Sequence, residues 1–191
     1  MRVLGSSGAW AVLLPALVAC VVAQQPAAST AAATSAASIY SSFVGEWVGQ
    51  LEYRDYTSNE RVFLPTWLSV TPSSDGKSVQ FAYVYDDGPN KTVKEISWFA
   101  LDQTSNTATF TSDRERSSDT YKVEGVAEFA KDGRGKLLLT GTGVENKKKV
   151  DVRITITVRR NLYTYVKDTR LAGEEFKFRD GYKFTRKEPP K

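Results

Sequence analysis

A two-residue alternation of apolar and polar side chains is the feature that most limits how this chain folds. From residue 150 to residue 159, Val or Ile at every even position alternates with a polar residue at every odd position. Successive side chains of a β-strand point to opposite faces, so this segment is predicted to be an antiparallel strand with one buried face. A helix would need a period of 3.6, and no long segment after Phe43 has it.

The same alternation recurs in runs that are separated by turn-forming residues. Gly and Pro mark two of the turns, at 73–76 and 86–90. The predicted strands span 46–56, 61–70, 79–85, 92–101, 107–111, 121–130, 136–144, 150–158, 161–171 and 176–186. So many short-looped strands would leave exposed edges unless the sheet closes. We therefore predict an all-β fold, a closed antiparallel up-and-down barrel of about eight to ten strands, with a β-sandwich as the alternative.

Composition excludes several chemistries for this barrel. The chain of 191 residues has no His and one Cys, Cys20. Catalytic triads that use His, His-ligated zinc or haem and intramolecular disulfides are therefore excluded, and we predict neither a metal site nor a cofactor. The formal net charge of +4 is spread along the chain and no nucleic-acid-binding motif occurs, so we expect no nucleic-acid partner. The sequence does not indicate an oligomeric state.

The N-terminus has the pattern of an export signal. Residues 1–23 contain Arg2 and then an apolar stretch that is shorter than the ~20 residues of a membrane span. One predicted cleavage site follows the small residue Ala23, and the product would be soluble. The other precedes Cys20, because residues 17–20 resemble a bacterial lipobox, and lipidation of Cys20 would tether the protein to a membrane. Both readings predict a periplasmic or extracellular protein. Residues 24–42, rich in Ala, Ser and Thr, are predicted to be a flexible tether before a barrel domain at 43–191.

The start of the first predicted strand carries a short motif. Gly45-Glu46-Trp47, followed by Gly49, resembles the Gly-x-Trp signature of the lipocalin/calycin superfamily and the opening of nitrobindin-like barrels. The longer run from Gly45 resembles a group of bacterial exported lipocalin-like proteins. Closure of an even-stranded barrel would place Arg186 near Trp47. The resemblance implies that this Arg packs over the Trp and closes the barrel floor. Nitrobindin-like barrels bind haem through His, which this chain lacks.

The resemblance implies that a cavity in the barrel binds a small hydrophobic or amphipathic molecule. Aromatic residues of the predicted strands are the candidate lining: Tyr53, Phe81, Tyr83, Tyr85, Trp98, Phe178 and Tyr182. The alternative is a non-catalytic structural or interaction module of the cell envelope with a filled barrel. An enzyme would need inward-facing carboxylates, for which Asp55, Glu95 and Asp180 are the candidates. We expect a ligand-binding protein that is not an enzyme.

Overall fold

The computed structural model describes residues 39–55, 57–114 and 116–188. The signal and lipidation predictions, with Cys20, and residues 24–38 of the predicted tether lie outside the described residues. Within the described part the elements are β1 (Gly45–Arg54), β2 (Arg61–Pro72), β3 (Ser78–Asp86), β4 (Thr92–Asp102), β5 (Thr107–Ser112), β6 (Ser117–Glu124), α1 (Val126–Asp132), β7 (Gly135–Glu145), β8 (Lys148–Arg159), β9 (Leu162–Arg170) and β10 (Lys177–Arg186).

The ten strands of the described part form a closed barrel. Each strand pairs antiparallel with its neighbours in sequence, and β1 pairs with β10 from Trp47↔Arg186 to Tyr53↔Asp180. The prediction of a closed up-and-down barrel is therefore confirmed, and the β-sandwich alternative is wrong. None of the helices in the described ranges has the length and apolar character needed to cross a membrane.

Strand β8 illustrates why these residues form a barrel wall. Its even-numbered residues from Val150 to Val158 are buried, whereas its odd-numbered residues lie on the outer face. Pro65 is accommodated in β2 because the β2–β3 pairing begins one residue later, at Thr66. Because Pro65 is outside the β2–β3 pairing, its missing N–H removes no hydrogen bond between β2 and β3.

A helix replaces part of one predicted strand. The run at 121–130 was expected to be extended, but β6 ends at Glu124 and α1 follows. Gly125 makes this break, since its φ of 86° favours glycine and a Cβ there would lie 2.5 Å from the Lys136 carbonyl oxygen. Phe129 on α1 is fully buried. The helix therefore packs an aromatic ring against the barrel end instead of extending the wall.

The segment before β1 also differs from the prediction. Residues 39–42 were assigned to the flexible tether, yet Ile39 and Tyr40 are 0% and 3% exposed. The Tyr40 hydroxyl donates to the Lys77 carbonyl oxygen and accepts from the Leu101 amide, at 2.8 and 2.7 Å. Large apolar side chains offset the entropy of ordering this segment. The folded unit thus includes residues on the N-terminal side of Phe43.

Candidate ligand-binding site

The barrel interior divides into a filled half and an open half. The filled half lies at the end where β1 begins, which we call the floor. There the Phe43 ring packs against Phe81, Phe99, Phe129 and Tyr163, with centroid separations of 5.7–6.1 Å. All five side chains are buried. Phe43 therefore plugs the floor, and no ligand space remains among these rings.

The open half contains a cavity of about 300 Å³ at the opposite end, which we call the mouth cavity. Its wall combines aromatic rings with charged and hydroxyl groups from seven strands: Leu51, Tyr53, Tyr83, Glu95, Ser97, Phe110, Thr111, Ser112, Ser117, Asp119, Tyr121, Tyr165, Lys167, Arg179, Asp180 and Tyr182. A second compartment of about 270 Å³ adjoins it and shares Leu51, Tyr53, Glu95 and Tyr182. Tyr85 lines this second compartment. The space is of the size that small-molecule sites occupy.

Tyrosine hydroxyls supply the polar contacts of the mouth cavity. The hydroxyls of Tyr85 and Tyr182 lie 2.9 Å apart and share a hydrogen bond. Burial raises the pKa of Tyr83, Tyr165 and Tyr182, and the neighbouring carboxylate of Asp180 raises the pKa of Tyr165 and Tyr182 further. These phenols therefore stay neutral at physiological pH and act as hydrogen-bond donors and acceptors beside apolar ring faces.

Charged groups of the mouth cavity come mostly as neighbouring opposite pairs. Lys167 lies directly opposite Asp180 in the β9–β10 register. A β-bulge next to Asp180 turns Arg179 inward as well, where it lies 3.5 Å from Glu145 and donates to the Arg54 carbonyl oxygen. Buried charges in a protein are normally paired in this way.

The mouth cavity also has a lateral opening. Strands β6 and β7 pair only from Lys122↔Thr140 to Glu124↔Leu138, although both strands continue towards the mouth. A space of about 610 Å³ lies between their separated parts and shares Ser117, Asp119, Tyr121 and Lys167 with the mouth cavity. Gly141 lines β7 here without a side chain, and a Cβ would lie 2.7 Å from the Tyr121 ring. The barrel wall therefore has a gap between β6 and β7 that is continuous with the mouth cavity.

The predicted lining residues fall into two groups. Tyr53, Tyr83, Tyr85 and Tyr182 line the mouth cavity or its adjoining compartment. The others do not: Phe81 lies among the filled-half rings, Trp98 follows Ser97 and so faces outward, and Phe178 lies beneath the guanidinium of Arg61 at 4.4 Å. Strict alternation along β10 predicts that Phe178 faces inward. This prediction is wrong, because the bulge between Phe178 and Asp180 reverses which residues of the strand face inward before it.

Sequence reasoning missed several residues of the site. Phe110, Asp119, Tyr121 and Lys167 line the mouth cavity. The parity of β6, in which Asp119 and Tyr121 share a face with the buried Val123, was the available signal. It was obscured because the predicted strand began only at Tyr121. Of the carboxylate candidates, Glu95 and Asp180 face the cavity, whereas Asp55 accepts hydrogen bonds from the Thr57 and Ser58 amides in the β1–β2 turn.

The floor residues lie apart from the mouth cavity. Cζ of Arg186 lies 4.0 Å from the centroid of the Trp47 ring, and the two residues are register partners. The indole N–H of Trp47 donates to the Phe43 carbonyl oxygen at 2.9 Å. Within the described ranges no group of three or more His, Cys, Asp or Glu residues is placed to hold a metal ion.

Fold and site together define a lipocalin-like antiparallel barrel with a filled floor and an accessible polar and aromatic mouth. A solved structure with this fold is the S-type phycobiliprotein lyase CPES from Guillardia theta. The TM-score is 0.52 at 8% sequence identity, and the match covers 80% of this chain and 92% of that chain. No protein-family model matches the sequence, and no curated protein is similar to it in sequence. At this identity the similarity extends to the fold alone.

This comparison corrects one expectation. We expected a passive container rather than an enzyme, on the ground that the fold is a lipocalin-like barrel without His. The matching structure is that of a lyase, so a catalyst has the same fold. The prediction that the chain is not an enzyme is therefore wrong as an inference from the fold.

Proposed function

We propose that the barrel binds a small amphipathic molecule in the mouth cavity. The observation that carries the proposal is a space of about 300 Å³, extended by an adjoining compartment, in a barrel whose other half is tightly filled. Tyr53, Tyr83 and Tyr182 offer both ring faces and hydroxyl groups to this space. Such a wall suits a ligand with an apolar body and a polar group.

The alternative of a filled barrel without a ligand is less well supported. A filled barrel would have no interior space as large as an ordinary ligand site, and such sites measure at least about 300 Å³. The mouth cavity reaches that size, and the lateral space between β6 and β7 adds to it. The lipocalin-like fold is a further support for a binding role, since barrels of this width enclose cavities.

The test is binding of a neutral fluorescent probe, N-phenyl-1-naphthylamine, to the full chain. We expect Ser97→Trp to weaken binding strongly, because Ser97 lines the mouth cavity and an indole there would take up much of its space. Ser118→Trp is the matched control, since Ser118 is exposed on β6. Equal binding by both variants, each with an unchanged circular dichroism spectrum, would rule out the mouth cavity as the site. Native mass spectrometry of protein purified from its source would then identify the natural ligand.

We further propose that the protein is exported, on the support of the signal pattern at residues 1–23. The two cleavage predictions lead to different products. A mature N-terminus at Gln24 would give a soluble periplasmic or extracellular protein, whereas a diacylglyceryl group on Cys20 would give a membrane-tethered one. A mass spectrum of the mature protein distinguishes these products, and an uncleaved N-terminus would refute export by either route.

A further inference from the structure

We propose that the ligand of the mouth cavity is an organic cation, an ammonium or guanidinium group on an apolar body. This inference rests on the proposed function and names the chemical class of its ligand. Tyrosine rings and carboxylates lie together in the wall of the mouth cavity. That combination is the chemistry by which proteins recognise alkylammonium groups, because ring faces and carboxylates both attract positive charge.

The first support is the aromatic wall. Six tyrosines surround the mouth cavity and its adjoining compartment from five different strands: Tyr53, Tyr83, Tyr85, Tyr121, Tyr165 and Tyr182. Tyr83 and Tyr182 are stacked with centroids 5.1 Å apart, and Tyr165 meets Tyr182 edge to face at 5.8 Å. A cation in the cavity would therefore have tyrosine rings on several sides.

The second support is the sign of the local charge. Glu95, Asp119 and Asp180 line the mouth cavity, each from a different strand. Burial is the main cause of the raised pKa of Tyr83, Tyr85 and Tyr165. Glu95 raises the pKa of Tyr83 and Tyr85 further, and Asp180 raises that of Tyr165 further, so these carboxylates lie close enough to act on the tyrosine hydroxyls.

The cations of the cavity wall do not outweigh these acids. Arg179 lies near Glu145 and its guanidinium also donates to a backbone carbonyl. Lys167 lies opposite Asp180, and Arg114, at the edge of the adjoining compartment, is 60% exposed and 3.9 Å from Glu95. Three carboxylates, Glu95, Asp119 and Asp180, and two cations, Lys167 and Arg179, line the mouth cavity, so its wall carries one excess negative charge. The formal net charge of the whole chain is +4.

The lateral opening fits the same ligand class. Asp119 and Lys167 belong both to the mouth cavity and to the space between β6 and β7, and Lys167 also lies opposite Asp180 in the β9–β10 register, so carboxylates outnumber the lysine around this junction. Apolar contacts in the lateral space come from Val150 and Val152. A cationic group held among the tyrosines can therefore extend an apolar chain past Asp119 and out between the strands.

The experiment displaces N-phenyl-1-naphthylamine from the full chain with three decyl compounds below their micelle concentrations. Decyltrimethylammonium, decyl maltoside and decyl sulfate share the apolar chain and differ in charge. We expect the cation to displace the probe at a concentration about tenfold lower than the anion. Added salt should narrow this difference. Equal displacement by cation and anion, or stronger displacement by the anion, would overturn the inference and leave the proposed function intact.

Charge variants test whether the preference arises in the cavity. Asp119→Asn removes one cavity charge at an exposed position, and Glu124→Gln removes the same charge from the floor end of β6. We expect Asp119→Asn to reduce the ratio of cation to anion affinity about threefold, and Glu124→Gln to leave it unchanged. Equal effects of the two variants would show non-specific attraction and refute the inference. Failure of the wild-type chain to bind the probe would instead refute the proposed function and the inference with it.

Discussion

The guanidinium of Arg186 covers the ring of Trp47 and also donates to three carbonyl oxygens in two separate segments of backbone. It donates to the carbonyl oxygens of Arg160, Val44 and Ser42 at 3.0, 2.7 and 3.0 Å. The last residue of β10 is therefore bound to the β8–β9 turn and to the segment before β1. One side chain thus holds together the elements that close the floor.

Removal of this side chain should destabilise the whole barrel. We expect Arg186→Ala to lower the free energy of unfolding by about 2–4 kcal/mol, because a cation–π contact and charge-assisted hydrogen bonds are lost together. Arg186→Lys should retain less than half of the stabilisation that Arg186→Ala removes, since an ammonium group lacks the planar guanidinium that reaches three acceptors. Arg159→Ala, a change at an exposed neighbour, is the control. An unchanged urea midpoint for Arg186→Ala would contradict the structural role.

The contact between Trp47 and Arg186 was predictable because it follows from parity and closure. Alternation fixes which face each residue occupies, and an even number of antiparallel strands sets the first strand against the last. Both rules are local or topological, so the strand series and the closed sheet could be predicted from the sequence.

The mouth cavity was less predictable because it depends on departures from regular geometry. The bulge between Phe178 and Asp180 places Phe178 outside and Arg179 inside, contrary to parity. The separation of β6 from β7 and the helix after Gly125 likewise have no periodic signal. The role of Ile39 and Tyr40 was hidden by the Ala- and Ser-rich segment before them. Tertiary packing decides these features, and alternation does not encode it.

The aromatic plug of the floor should be essential for stability. Phe43 is 1% exposed among four other rings. We expect Phe43→Ala to lower the free energy of unfolding by about 3–5 kcal/mol, the usual loss when truncation of a buried Phe creates a cavity. Phe63→Ala removes the same ring from a position that is 52% exposed on β2 and should cost less than about 1 kcal/mol. Chemical denaturation of both variants measures the difference, and similar losses would show that Phe43 is not a core residue.

Closure between β1 and β10 should depend on a glycine. A Cβ at Gly49 would lie 2.0 Å from the Lys183 carbonyl oxygen and 2.8 Å from the Phe184 Cα, and both are backbone atoms that cannot move without opening the ladder. We expect Gly49→Ala to lower the free energy of unfolding by roughly 3 kcal/mol or more. The control is Gly143→Ala on β7, where the nearest atom is a Val152 methyl at 3.2 Å. Equal melting temperatures of the two variants would contradict the close approach.

The buried tyrosines should make the barrel sensitive to alkali. Burial raises the pKa of Tyr83, Tyr163, Tyr165 and Tyr182 in the folded state, whereas tyrosines of the unfolded chain ionise near pH 10. Above that pH the unfolded state binds fewer protons than the folded state, so the free energy of unfolding falls as pH rises. Below about pH 10 the contribution of these groups is fully retained. We therefore expect phenolate absorbance at 295 nm from these four residues to appear only together with loss of the β-sheet circular dichroism signal.

Tyr163→Phe should shift the midpoint of alkaline unfolding upward, because one ionisable group that favours the unfolded state is gone. Smooth ionisation of all nine tyrosines near pH 10 with the barrel intact would contradict the burial of these hydroxyls.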